Sequence, residues 1–233
     1  MKNLGLCLIL LLLLVTANDA QSQKLSARVQ LLEVGEFHGD EVKARTSGGW
    51  LGLFVSKSAS TLRPTNIRVR RVFDPIVDDG TRTMTGKRVR IPQSIEPVFL
   101  VKNAPALRPG VIKTILAERT SLSVGESISL TLEKQHYQIK FVSTTNDAKP
   151  APGNAKVQVI REGITQPLFS NLSRDEGGFA ILWAGDLDGD GKLDLYVNAA
   201  PHDNVESKRL LLSSKAGNGQ LVREVARFDT TGC

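Results

Sequence analysis

Cysteine is nearly missing from this chain: there are two in 233 residues, Cys7 and Cys233. Cys7 lies within an apolar N-terminal run, so removal of that run leaves a single thiol and no intrachain disulfide. A lone terminal cysteine can still form a bridge between chains. Aromatic residues make up only 5% of the sequence, too few for a broad aromatic platform that stacks on sugars. No G-x-S-x-G elbow, phosphate-binding glycine loop or paired C-x-x-C occurs. The commonest local signatures of hydrolase, nucleotide and redox chemistry are therefore missing. A glycosidase carboxylate pair leaves no such mark, so hydrolysis is not excluded.

The one long apolar run is at the start, "MKNLGLCLILLLLLVTANDA". A lysine precedes it and small residues, Ala17 and Ala20, follow it, which is the layout of a secretory signal peptide over residues 1–20. The run is shorter than the roughly 20 apolar residues of a spanning helix. The expected product is exported, periplasmic or extracellular, and not transmembrane once the leader is removed. Its net charge of +6 and pI near 9.4 raise acidic partners, polyanions or anionic lipid headgroups. However, the basic residues of "NIRVRRV" and "GKRVRI" alternate with apolar ones, the pattern of a solvated sheet face. The expected partner is a protein or polysaccharide, with no nucleic acid.

Period-two alternation dominates the rest of the chain. It appears in "SARVQLLEV", "WLGLFVS", "IRVRRVF", "KRVRI", "PVFLVK", "SISLTLEK", "HYQIKFV", "KVQVI", "RLLLSS" and "LVREVARF". Short strands separated by turn residues predict an all-β protein, an antiparallel sandwich or barrel-like subdomains. "GVIKTILAERTS" is the best helix candidate, though its β-branched content keeps a strand reading alive. "NAPALRPG" (103–110) reads as a junction, which gives an N-terminal β subdomain at 21–105 and a C-terminal one at 106–233. "STTNDAKPAPGNAK" (143–156) reads as a long exposed loop. Trp50 and Trp183 sit in apolar contexts and are expected in the core.

Against that background "GDLDGDGKLDLYV" (185–197) stands out. Numbered from Asp186, carboxylates fall at positions 1, 3, 5 and 9 (Asp186, Asp188, Asp190, Asp194), with Gly191 at 6 and Lys192 at 7. A calcium loop draws oxygens from positions 1, 3, 5 and 7, the last through a backbone carbonyl, and needs glycine at 6 for its sharp turn. Two carboxylates about 4 Å apart repel by about 4 kcal/mol at an effective dielectric near 20. A cation would remove that repulsion. An EF-hand would place a glutamate at position 12 and helices on both sides. Here position 12 is Val197, and both "FAILWAG" and "LDLYV" are strand-like, so Asp194 takes over the bidentate role.

The pattern D-x-D-x-D-G-x-x-D followed by a strand resembles the FG-GAP/VCBS calcium loop of integrin-α-like β-propellers. The resemblance implies a loop joining two strands and rigidified by calcium, with Asp186, Asp188, Asp190, Asp194 and the Lys192 carbonyl as ligands. It covers residues 185–197 and occurs once, whereas a propeller needs several blades; only the local loop is carried over. The whole chain also resembles small bacterial exported proteins with one such loop near the C-terminus.

Two further clusters remain. "EFHGDEV" (36–42) gathers Glu36, His38, Asp40 and Glu41, and "APHDN" contributes His202 and Asp203. The first cluster reads primarily as a polar turn and secondarily as a metal or His–carboxylate site; the second reads as an exposed loop and otherwise lines the same face as the aspartate turn. The sequence as a whole predicts an exported calcium-binding β protein with a binding or structural role. The alternative is an envelope or extracellular hydrolase with a calcium-stabilised fold.

Overall fold

Among the described residues, alternating β-branched and apolar side chains produce sixteen strands and no α-helix. The computed structural model describes residues 28–231 except 57–58, 81, 146–154, 173–177 and 202–203. Residues 1–20, where a leader is expected, most of the 143–156 segment, His202, Asp203 and Cys233 therefore lie outside the described residues.

Twelve strands share one antiparallel sheet. Its main path runs β1 (Gln30–Leu32), β6 (Leu100–Lys102), β3 (Ser47–Val55), β4 (Ser60–Val72), β7 (Gly110–Leu116), β13 (Phe179–Asp186), β14 (Asp194–Ala199), β15 (Val205–Leu212) and β16 (Arg223–Thr231). The distal half of β4 also forms a hairpin with β5 (Gly86–Arg90), to which β2 (Gly35–Phe37) adds; β8 (Thr120–Ser121) adds to β13. The sheet curls until its two ends, β1 and β16, lie side by side, but no ladder joins them. Around this seam, residues that follow β1 and β2 bond to the last three strands. The Tyr196 hydroxyl donates to Glu33 at 2.6 Å, the Lys208 amine to Glu33 at 3.1 Å, and the Thr231 amide to Glu41 at 2.5 Å.

The other four strands, β12 (Ile164–Ser170), β11 (Ala155–Arg161), β10 (Gln135–Ser143) and β9 (Ser127–Leu132), form a second sheet. Pro167, which cannot donate to a ladder, sits on edge strand β12 beside a bulge. This second sheet packs on the β13–β15 region, so the barrel-like curl and the sandwich coexist. One core, with Trp50, Leu53, Leu62, Phe99, Trp183 and Tyr196, fills the curl. Another, with Ile139, Phe141, Val157, Ile181, Leu195 and Val197, lies between the sheets. β14 faces both cores, which is why "DLYVNA" is buried at every position.

The candidate helix over "GVIKTILAERTS" is instead strand β7 and the whole of the short β8, the alternative its β-branched residues left open. Val111, Ile112, Thr114 and Ile115 are β-branched, and β4 and β13 offer ladder partners on both sides. Tertiary pairing wins over a local pattern that fitted either state.

Candidate metal centre

Residues 187–193 connect β13 to β14 where the two cores meet. The loop inserts one leucine into each: Leu187 into the core of the curl and Leu193 into the core between the sheets. Each buried leucine contributes about 1.5–3 kcal/mol. Between these anchors the backbone turns through Gly189 and Gly191, at φ of 80° and 77°. That left-handed region suits glycine. The turn is closed by Asp186, whose carboxylate accepts from the amides of Gly189 at 2.8 Å and Gly191 at 3.0 Å.

Carboxylate oxygens of Asp186, Asp188 and Asp194 converge to within 4.8 Å of one another. Asp194 is fully buried. It accepts from the amides of Leu187 at 2.8 Å, Asp188 at 3.3 Å and Ser213 at 2.7 Å, and from the Ser213 hydroxyl at 2.8 Å. Burial pushes its carboxyl up to about 7, and the neighbouring Asp188 charge adds to the rise. Burial also raises Asp188, with the charges of Asp190 and Asp186 acting the same way. One Asp188 oxygen takes the Ser214 hydroxyl. The other, Oδ1, is buried with no hydrogen-bond partner among the described residues.

Asp190 stands outside this trio. It is exposed, and its Oδ1 accepts from the Lys192 amide at 2.9 Å and the Ser213 hydroxyl at 2.9 Å. The Lys192 side chain is also exposed.

Supporting groups come from distant strands. Ser213 and Ser214 belong to a 3-10 turn (Ser213–Lys215) after β15. From β10, Gln135 donates to the Gly191 carbonyl at 3.1 Å, and the Tyr137 hydroxyl accepts from the Leu193 amide at 3.3 Å. Sequence reading missed all four, because serine after a strand and tyrosine in a strand carry no local mark of a ligand shell.

The donor set is all oxygen. Hard oxygen donors suit calcium or magnesium rather than the softer transition metals. An orphaned buried carboxylate oxygen beside two other carboxylates fits a cation, because burying such an atom unpartnered costs about 1–3 kcal/mol.

Of the "EFHGDEV" cluster, Glu36, His38 and Glu41 line one cavity and Asp40 lies outside it. Glu36 pairs with Arg88 at 2.7 Å. Asp40 lines a cavity of about 760 Å³ beside β1 and β16, while His38 lines a different one of about 460 Å³. Glu41 accepts from the His38 amide at 2.9 Å. The His38 imidazole meets Asp74 at 2.6 Å. That bond raises the His38 pKa against the opposing effect of burial, and the Asp74, Glu41 and Asp40 charges help. The same bond holds Asp74 below the usual carboxylate range.

The charge-dependent part of this pairing stabilises the fold only while both groups are charged. The histidine contribution is complete below its unfolded pKa of about 6.5 and fades as pH climbs through the raised folded value. The aspartate contribution is lost as pH falls through the depressed value. His38→Gln should consequently cost most near about pH 5–6 and least at about pH 8–9. Thermal melts of the two proteins across that range check it. A gap that widens toward alkaline pH would contradict the pairing.

Comparisons of the chain with protein-family models, with curated proteins and with solved structures each return no match.

Proposed function

We propose that this protein is an exported calcium-binding β protein with a binding or structural role, in which one ion staples the 186–194 turn. The observation that carries the reading is the convergence of Asp186, Asp188 and Asp194, one of them with a buried oxygen lacking a partner. Asp186, Asp188 and Asp194 would hold the ion, Asp190 would approach through the Ser213 side of the loop, and the Lys192 carbonyl would complete the set. The ion would supply positive charge where three carboxylates meet. Likeness to the FG-GAP/VCBS loop supports this for the turn alone. Export follows from the leader at residues 1–20.

With Leu187 and Leu193 in different cores, tightening this turn ties the curl to the sandwich. With no intrachain disulfide expected once the leader is removed, such a staple has a clear use. Modules outside the cell bind calcium with dissociation constants of about 10⁻⁴–10⁻³ M. At ten times the dissociation constant, linkage adds about 1.4 kcal/mol, or about 3–5 °C for a chain of this size. Calcium should raise the melting temperature by that amount, EDTA should reverse it, and Asp186→Asn/Asp188→Asn should abolish the response. A calcium-independent melt in the native protein would remove the reading.

The hydrolase alternative gains the His38–Asp74 pair, an imidazole oriented by a buried carboxylate. Among the described residues, however, no hydroxyl or thiol is hydrogen-bonded to that imidazole, so the pair has no nucleophile to activate. We place that reading second.

A further inference from the structure

The loop between β4 and β5 is chemically inside out. Its residues 73–85 read "FDPIVDDGTRTMT". Asp74 and Asp78 are buried, at 4% and 8% exposure, while Phe73, Ile76, Val77 and Met84 are exposed at 47%, 64%, 60% and 50%. These four are the majority of the seven large apolar side chains exposed among the described residues. Single exposed apolar residues are ordinary, but a cluster in one loop marks an interaction site.

The arrangement is held in place. Asp74 accepts from the amides of Ile76 at 3.1 Å and Val77 at 3.3 Å as well as from His38. Asp78 accepts from the Asp74 amide at 2.8 Å, the Thr85 amide at 3.0 Å and the Thr85 hydroxyl at 2.7 Å. Burial pushes the Asp78 carboxyl up, yet these bonds outweigh it and keep it ionised. Two buried carboxylates thus fix a backbone whose apolar side chains have nowhere to go but outward.

The hairpin below the loop carries the opposite charge. Arg68 lies directly across from Arg90, and Arg70 across from Arg88. By the two-residue period these four share one face, and all four are exposed. Like charges directly opposite in a ladder are destabilising. Glu36, on β2, reaches Arg88 at 2.7 Å and Arg90 at 3.9 Å, but among the described residues Arg68 and Arg70 pair with no carboxylate. Over residues 66–91 seven basic side chains stand against three acidic ones, two of those buried. Asp79 is the single exposed acid there.

We propose that this hairpin is a docking element for an anionic lipid bilayer, inserting its apolar tip between headgroups while the arginines engage them. At about 3.3 Å per residue, Arg70 and Arg88 stand about 7 Å behind the end of the ladder, and Arg68 and Arg90 about 13 Å, with the apolar loop beyond that end. An interfacial element buries about 5–10 Å into the headgroup and acyl boundary, so insertion of the loop leaves the arginines on the headgroup side of it. A polyanion would use the arginines but leave Ile76 and Val77 without a role. This reading does not rest on the calcium site.

The test is sedimentation with vesicles of phosphatidylcholine alone and of phosphatidylcholine mixed with phosphatidylglycerol, in EDTA so that no cation bridges protein to lipid. The native protein should bind the mixed vesicles and spare the neutral ones. Near an anionic surface each arginine contributes about a fivefold gain, so Arg68→Gln/Arg70→Gln should weaken binding about twenty- to thirtyfold. Ile76→Ser/Val77→Ser should weaken it at least tenfold, with unchanged melting temperature. As a second readout, Val77→Trp should shift its emission to the blue on mixed vesicles; the native Trp50 and Trp183 are buried and contribute a constant background. No binding, binding indifferent to both pairs of substitutions, or no blue shift would each overturn the proposal. So would retention on a sulfated polysaccharide that survives Ile76→Ser/Val77→Ser while vesicles stay unbound, which would assign the arginines to a polyanion.

Discussion

Asp194→Ala should cost about 3 kcal/mol or more, which for a chain of this size lowers the melting temperature by about 6–12 °C. The substitution removes a carboxylate that accepts from the Leu187, Asp188 and Ser213 amides and from the Ser213 hydroxyl. Leu187 and Ser213 lie in the protein interior, so water cannot easily replace the lost acceptor for their amides. Stranded buried donors each cost about 1–3 kcal/mol. The Ser213 hydroxyl alone keeps a partner, Asp190. Some of the loss is offset, because an empty site also sheds the cost of burying the carboxylate itself. Asp194→Asn isolates the difference: it preserves volume and one acceptor oxygen, and its penalty should fall between zero and that of alanine. Denaturant unfolding of the three proteins in EDTA measures both steps. Equal stability of Asp194→Ala and the native chain would show that this carboxylate does not organise the turn.

Gly185→Ala should rank beside it, at about 3 kcal/mol, and above Gly191→Ala. A methyl group at Gly185 would overlap the Lys113 carbonyl oxygen of β7 and crowd the indole of Trp183. Neither can retreat. Lys113 belongs to the ladder with β13, and the Trp183 indole nitrogen donates to Thr114 at 2.9 Å. Overpacking of this kind costs about 1–3 kcal/mol where neighbours can shift, and more where backbone blocks them. A methyl at Gly191 meets open space, so only the left-handed backbone is strained, at about 1–2 kcal/mol. Chemical denaturation of both variants gives the ranking directly. The reverse order would mean that β7 yields more readily than its ladder implies.

The two glycines show how far the sequence could be read. Gly191 was legible because position 6 of a calcium loop has a backbone requirement that recurs with the aspartates. Gly185 was not: what demands it is β7, about 70 positions away, and no local spacing encodes that approach. The strands followed the same rule. "WLGLFVS", "HYQIKFV" and "KVQVI" declared themselves by alternation, since one side of each meets a core. β7 stayed open between helix and strand because its pattern suits either state until β4 and β13 are in place. The aspartates of the turn were visible, but their Ser213, Ser214, Tyr137 and Gln135 partners were not. The arginines of β4 and β5 read as a solvated face, and only the register that sets Arg68 against Arg90 and Arg70 against Arg88 shows them to be concentrated. The apolar tip was invisible for a related reason: residues such as Ile76 and Val77 look like core until Asp74 and Asp78 take the inside places.

The unlaced seam between β1 and β16 has a kinetic consequence. Glu33 must meet Tyr196 and Lys208 across 163 and 175 positions of chain, and β1 must find β6 across about 70. Closing such loops costs entropy before any contact repays it, and topologies dominated by distant pairings fold in milliseconds to seconds. The hairpins β3–β4, β10–β11 and β13–β14 need no such search and can form early. If the Glu33 clasp closes last, Glu33→Gln should speed unfolding far more than it slows refolding, and stopped-flow unfolding and refolding rates check it.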